Sequence, residues 1–172
     1  MSENKEENRL TAARIARVGL FSALAMIFGY LEMLIPVQPG IPGIKLGLAN
    51  IIIVISMYLF STGEVVFILI VRNVLSGFLF GNVVTLIYCL AGGFLSFLGM
   101  YFAKRTGLFS IVGVSATGGV LHNVGQLLVA LILINNNAVL YYLPVLLISG
   151  SISGVVIGFI SKLILPRIKF RQ

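Results

Sequence analysis

The sequence contains no aspartate, one cysteine (Cys89) and one histidine (His122). A single cysteine excludes an intrachain disulfide and a thiolate metal cluster. Enzymes that hold magnesium usually do so with clustered carboxylates, but the five acidic residues here are all glutamates, confined to the amino-terminal tail and to Glu32 and Glu64. One histidine beside one cysteine also leaves too few groups for a nucleophile–base pair. These absences predict a protein that is not an enzyme and has no cofactor and no metal site.

The sequence also lacks the G-x-x-x-x-G-K-[ST] run of P-loop ATPases, so this chain cannot bind ATP in that way. Charged residues are scarce, at 10% of the chain against 59% hydrophobic residues, and the mean hydropathy is +1.09. A soluble domain carries roughly 25% charged residues because its surface must face water. The composition therefore predicts an integral membrane protein.

Six apolar runs, separated by turn-forming residues, predict six helices. They are residues 15–35, 47–60, 65–80, 83–102, 108–134 and 139–165. The first ends at residues 36–43, where three prolines and two glycines exclude a helix. We therefore predict an all-α bundle of six transmembrane helices over residues 15–166, between a polar tail, 1–14, and a basic tail, 167–172. The second and third runs are short for a hydrocarbon core of ~30 Å, which predicts tilting or unwinding there.

The net charge of +7 comes from basic residues at the ends of the apolar runs. The clusters are Arg9, Arg14 and Arg17; Lys104 and Arg105; and Lys162, Arg167, Lys169 and Arg171. With six spans, all three clusters lie on one side of the membrane, and the positive-inside rule assigns that side to the cytoplasm. Both termini are therefore predicted to be cytoplasmic, and the charge requires no nucleic-acid partner.

Small residues recur at a spacing of about four residues in three of the runs. They are Gly150, Gly154 and Gly158 in the sixth run; Gly92, Gly93, Ser96 and Gly99 in the fourth; and Ala12, Ala16, Gly19 and Ala23 in and just before the first. Small residues on one face allow close helix packing in lipid. Packing within the bundle is the simpler interpretation, and the alternative is that the stripe of the first helix docks a membrane partner.

Polar residues inside the apolar runs are the candidates for a functional site. Arg72 falls near mid-membrane, where a charge costs about 2.5–3.5 kcal/mol on insertion scales and so needs a partner or a function. Ser76 lies one helical turn further, and His122 and Gln126 share a stripe of the fifth helix with Asn123 beside it.

We interpret these residues as an outward-opening polar cavity, roofed by the Pro-rich segment, for a ligand with an anionic or strongly hydrogen-bonding head. The candidate binding residues are Arg72, His122, Asn123, Gln126, Asn50, Ser76, Lys45 and Glu32. The alternative is an internal network in which Arg72 pairs with Glu32 or with backbone carbonyls, and His122 and Gln126 bond between helices. For Glu32 and Lys45, a surface ion pair is the simpler interpretation.

Five motifs resemble a known bacterial family. They are K-L-G-L-A-N at 45–50; Arg72 with S-G at 76–77 and F-G at 80–81; G-G-F-L-S-F at 92–97; G-V-S at 113–115 leading to H-N-V-G-Q-L at 122–127; and Y-L-P-V-L at 142–146. Together they resemble the Gx transporter family, often labelled heptaprenyl diphosphate synthase component I, over about residues 16–160.

That family is similar to the substrate-binding S-components of energy-coupling-factor (ECF) importers, which have six helices, cytoplasmic termini and a capping first outer loop. The resemblance implies a bacterial cytoplasmic-membrane protein that binds a small micronutrient or cofactor-related ligand. It implies a transmembrane coupling subunit and ATPases as partners, besides membrane lipid. It also implies that Ala12, Ala16, Gly19 and Ala23 face the coupling subunit.

Two other functions stay open. One is a non-catalytic membrane subunit in isoprenoid or menaquinone (heptaprenyl diphosphate) metabolism, as the family label implies. The other is a structural protein of a flavin- or quinone-based electron-transfer complex. Chain-elongating prenyl synthases depend on Asp-rich motifs, so the absence of aspartate disfavours a catalytic role in the first.

Overall fold

The computed structural model describes residues 2–34 and 47–168, with side chains at 11–32, 34, 47–79 and 81–168. These ranges contain six α-helices in chain order: α1 Ser2–Leu34, α2 Leu48–Leu59, α3 Thr62–Phe80, α4 Val83–Thr106, α5 Ile111–Ile134 and α6 Leu143–Ile164. Short 3-10 helices, Asn137–Tyr142 and Leu165–Arg167, flank α6. No strand occurs in the described ranges. The predicted all-α membrane bundle of six helices is confirmed.

Five of the helices are long and apolar enough to cross a membrane, and α2 is the exception. Its 12 residues extend ~18 Å at ~1.5 Å per residue, against a hydrocarbon core of ~30 Å. The prediction of a short second helix is therefore confirmed. The third helix is longer than its apolar run because it begins at Thr62 instead of residue 65.

Capping residues, not hydrophobicity, decide where several helices end. Gly107 adopts a left-handed conformation (φ 68°) and closes α4 at Thr106, beyond the predicted end at 102. The Ser110 side chain accepts a hydrogen bond from the Gly113 amide at 3.3 Å, so α5 begins at Ile111. At the amino terminus, α1 begins at Ser2, and residues 2–14, predicted as a polar tail, are helical and continuous with the first span.

The short helix α2 forms the centre of the bundle. It contacts α1, α3 and α6, while α4 packs between α3 and α5, and α6 packs on α5. Residues 51–57 of α2 are all buried, and most of them belong to the main hydrophobic cluster of the bundle. The core thus sits around α2.

Three contacts show that both ends of the described chain lie on the same side. Arg14 of α1 forms an ion pair with Glu64 of α3 at 2.5 Å. Lys104, near the end of α4, donates a hydrogen bond to the Met57 carbonyl near the end of α2.

The third contact joins the end of α6 to the start of α5, since a Cβ at Gly158 would lie 2.7 Å from the Val112 Cα. We call this side the basic face. Its described basic residues are Arg14, Arg17, Lys104, Arg105, Lys162 and Arg167. This grouping is the one that the positive-inside rule requires.

The glycines of α6 and α4 pack against neighbouring helices, as the simpler interpretation predicted. A Cβ at Gly154 would lie 2.7 Å from the Ala116 Cα, and one at Gly92 would lie 2.9 Å from the His122 carbonyl oxygen. The stripe of α1 differs. Its members are exposed in the isolated chain: Ala12, Ala16, Gly19 and Ala23. A Cβ at Gly19 meets no atom within 4 Å, so this stripe is not used for packing within the described bundle.

Candidate functional site

Arg72 is the charged residue placed deepest in α3. Ten residues separate it from Thr62 at the basic face, which is ~15 Å of helix and about half of a ~30 Å core. Its Nη1 donates a hydrogen bond to Asn50 Oδ1 of α2 at 2.9 Å. The structure thus brings together two of the predicted site residues. Within residues 2–34 and 47–168, Asn50 is the one hydrogen-bond partner of Arg72, although a guanidinium carries five N–H donors.

The amino-terminal end of α2 lies beside this arginine and is held by Glu32. The Glu32 carboxylate accepts a hydrogen bond from the Gly47 amide at 2.5 Å and also interacts electrostatically with Arg72. Gly47 has φ 74°, a left-handed conformation that favours glycine. A carboxylate at a helix amino terminus also complements the helix dipole. Lys45, the predicted ion-pair partner of Glu32, and the Pro-rich segment predicted as a roof lie outside the described residues.

Ser76 faces α1, one turn beyond Arg72. A Cβ at Gly29 would lie 3.8 Å from both the Ser76 Oγ and the Ala49 Cβ, so α1, α2 and α3 meet closely at this point. The Ser76 hydroxyl is buried and has no hydrogen-bond partner among the residues that the structure describes. A buried hydroxyl without a partner is costly in a membrane protein. Ser76 therefore either lowers the stability of the bundle or forms its hydrogen bond with a ligand.

The start of α2 lies deep in the bundle. A Cβ at Gly47 would lie 2.8 Å from Cδ1 of Ile157, a residue seven positions before the end of α6 at the basic face. Because α2 accounts for only ~18 Å of a ~30 Å core, about 12 Å of membrane on the other side of the bundle is not crossed by α2. Arg72 and Asn50 lie at the boundary between the half of the membrane that α2 crosses and the half that it does not.

His122 lies at a depth similar to that of Arg72, and Gln126 lies one helical turn further from the basic face. Both residues contact α4. A Cβ at Gly92 would lie 3.1 Å from His122 Cε1 and 3.0 Å from Gln126 Cγ. On the next residue, a Cβ at Gly93 would lie 2.8 Å from Nδ2 of Asn73. Two adjacent glycines thus let α3 and α5 approach α4 from two sides. The predicted residues therefore fall into two groups, one around Arg72 and one around His122.

Asn123 points to α6 instead. Its Nδ2 donates hydrogen bonds to the Leu146 carbonyl at 2.7 Å and to the Ser149 hydroxyl at 3.3 Å. Both bonds join α5 to α6. A role for Asn123 in ligand binding stays a prediction, whereas its contribution to helix association follows from these contacts.

Replacing Asn123 by alanine should destabilise the protein by about 0.6–1.7 kcal/mol, the range measured for interhelical hydrogen bonds in membranes. Thermal unfolding in detergent measures this loss. Asn137→Ala, at an exposed position outside the six α-helices, is the control and should unfold as the wild type does. An unchanged unfolding temperature for Asn123→Ala would contradict the structural role.

Sequence reasoning missed Asn73 as part of this region. It is only 5% exposed and donates a hydrogen bond to the Cys89 carbonyl of α4 at 3.2 Å. Its position beside Arg72 in an apolar run was the available signal. Among the residues that the structure describes, no three His, Cys, Asp or Glu side chains lie close enough together to bind a metal ion.

The fold and its mid-membrane cation define a multi-pass helical membrane protein. Within this class, the family model described as heptaprenyl diphosphate synthase component I matches residues 21–164. The chain therefore belongs to that family, also called the Gx transporter family. Neither the curated proteins nor the solved structures contain a significant match to it.

Proposed function

We propose that this protein is the substrate-binding, non-catalytic membrane subunit of an ECF-type importer in a bacterial cytoplasmic membrane, with its basic face in the cytoplasm. The observation that carries the proposal is Arg72, a mid-membrane guanidinium with one hydrogen-bond partner in the described chain. A charge at that depth is costly unless partners or a function compensate for it. A ligand with an anionic or strongly hydrogen-bonding head supplies the missing partners.

The ligand is a small micronutrient or cofactor-related molecule that enters from the side opposite the basic face. Arg72 binds its head, and Asn50 fixes the orientation of the guanidinium through the 2.9 Å hydrogen bond. Charge-assisted hydrogen bonds are roughly twice as strong as neutral ones, and a low-dielectric site strengthens them further. His122, at a similar depth on α5, and Gln126, one turn further from the basic face, provide further hydrogen-bonding groups. Glu32 limits how much negative charge the site accepts.

The short α2 supports an approach route for such a ligand. A full-length second helix would occupy the half of the bundle opposite the basic face, beside Arg72. Because α2 begins next to Ile157 of α6, α2 does not occupy the space beside Arg72 in that half of the bundle. Residues 35–46, which carry Lys45 and the Pro-rich segment, are the chain's own candidates to cover the ligand.

The coupling subunit docks on the small-residue stripe of α1, whose members are exposed. Gly19→Phe should therefore reduce recovery of a coupling subunit and its ATPases by about tenfold or more, as loss of a close helix contact worth ~1.4 kcal/mol does. Affinity purification of the tagged protein from its native membrane, with quantitative mass spectrometry, measures this.

Val156→Phe is the matched control because Val156 lies on an exposed face of α6, and it should leave recovery unchanged. Failure of the wild type to recover a coupling subunit and ATPases, together with absence of a retained ligand, would overturn the importer proposal.

The family description favours a second candidate, a non-catalytic membrane subunit in isoprenoid or menaquinone metabolism. It predicts that the same purification recovers a soluble, Asp-rich prenyl synthase in place of importer ATPases. It also predicts that deletion of the gene changes the length or rate of the prenyl product, whereas the importer proposal predicts a growth requirement for the imported compound.

A further inference from the structure

A cavity of about 300 Å³ opens at the basic face, between the turn joining α2 to α3 and the last turns of α4. It is separate from the Arg72 region, which lies ~15 Å deeper along α3. Its floor is apolar and buried, formed by Met57, Val65 and Phe97. Its rim carries Tyr101, Lys104 and Arg105. The cavity is therefore amphipathic, with two cations beside an apolar floor.

Aromatic rings hold both cations in place. Lys104 Nζ lies 4.6 Å from the centre of the Tyr58 ring and donates a hydrogen bond to the Met57 carbonyl. The Arg105 guanidinium lies 5.2 Å from the centre of the Tyr101 ring. Cation–π contacts of this kind orient a cation without neutralising it.

Neither of the two described carboxylates neutralises these cations. Glu64 is bound by Arg14 at 2.5 Å and also accepts a hydrogen bond from the Ser61 amide at 2.8 Å. Glu32 is bound to Gly47 at the opposite end of α2. Within the part of the chain whose side chains are described, the positive charge of the rim is thus left for a ligand.

We infer that this cavity binds an anionic amphiphile with a phosphate or diphosphate head and an apolar chain. The head contacts Lys104 and Arg105, and the chain lies against Phe97, Val65 and Met57. Guanidinium groups match phosphate oxygens in geometry, and basic pockets between helices at the cytoplasmic side bind anionic lipid heads. A volume of about 300 Å³ accommodates the head and the first part of a chain.

Two kinds of ligand have this chemistry, a membrane phospholipid and a prenyl diphosphate. Native mass spectrometry of the full-length protein in neutral detergent distinguishes them, with phosphatidylglycerol, phosphatidylcholine, farnesyl diphosphate and inorganic diphosphate as separate probes. The wild type should retain phosphatidylglycerol or farnesyl diphosphate in preference to phosphatidylcholine. Whichever of the two is retained more strongly identifies the source, and inorganic diphosphate should compete weakly because it lacks the chain.

Arg105→Gln should lower retention by about tenfold or more, the effect of losing a hydrogen bond to a charged group. Lys104→Gln is the second variant, in case the first folds poorly. Lys162→Gln is the matched control, since Lys162 lies on the basic face but does not line the cavity. Equal retention of phosphatidylcholine, or an equal loss in Lys162→Gln, would overturn the inference. Neither result bears on the Arg72 site, so the proposed function is tested separately.

Discussion

Arg72→Ala is expected to abolish ligand retention while leaving the bundle folded. Removing one partner of a buried charge-assisted pair costs about 2–5 kcal/mol, which is a loss of affinity of at least about thirtyfold at 1.4 kcal/mol per factor of ten. Folding should survive because Arg72 holds one hydrogen bond within the described ranges, and because removing a mid-membrane charge relieves an insertion cost of about 2.5–3.5 kcal/mol.

The internal-network alternative predicts the reverse for the same variant. If Arg72 served to neutralise Glu32, with which it interacts electrostatically, its loss would leave that carboxylate unpaired and lower protein abundance. Arg167→Ala, at the basic face, controls for a general loss of positive charge. It should change neither protein abundance nor ligand retention. Abundance and ligand retention measured on the same membranes separate the two explanations.

Gly119→Ala should have the largest effect on stability. A Cβ at Gly119 would lie 2.2 Å from the Gly150 carbonyl oxygen and 3.1 Å from the Gly154 Cα. Both obstacles are backbone atoms of α6, so no side-chain rotation relieves the clash, and α5 and α6 must move apart. We expect a cost at or above the upper end of the 1–3 kcal/mol typical of overpacking, that is about 3 kcal/mol.

Gly19→Ala is the matched control, since a Cβ there meets no atom of the described residues within 4 Å. Alanine favours a helix over glycine by about 1 kcal/mol, so this variant should be neutral or slightly stabilised. Thermal unfolding in detergent and the yield of monodisperse protein compare the two. Equal unfolding temperatures would show that α5 and α6 are not packed through these glycines.

The helices could be predicted from the sequence because hydropathy indicates which segments can lie in lipid. The apolar runs located all six helices, and the length of the second run predicted the short α2. Counting from Glu64 predicted Arg72 near mid-membrane, and in the structure Arg72 follows the start of α3 at Thr62 by ten positions. The points at which the helices begin and end were harder to predict. The polar residues 2–14 continue α1 as a helix, since hydropathy marks where a helix crosses lipid and not where it ends.

The partners of the polar residues could not be predicted, because they depend on helix rotation. His122 and Asn123 are neighbours in sequence, but successive residues of a helix point ~100° apart. His122 consequently contacts Gly92 of α4 and Asn123 bonds to α6. Likewise, the spacing of small residues is the same in α1 and α6, yet the α6 glycines pack inside the bundle and the α1 stripe is exposed.

Identification of small molecules that co-purify with the gently extracted protein is the most direct test of the Arg72 site. Mass spectrometry should find a compound with an anionic or strongly hydrogen-bonding head in the wild type, at much lower occupancy in Arg72→Ala and at unchanged occupancy in Arg105→Gln. A wild-type protein that retains no such compound, while Arg72→Ala loses folded protein, would show that the guanidinium serves the bundle and not a ligand.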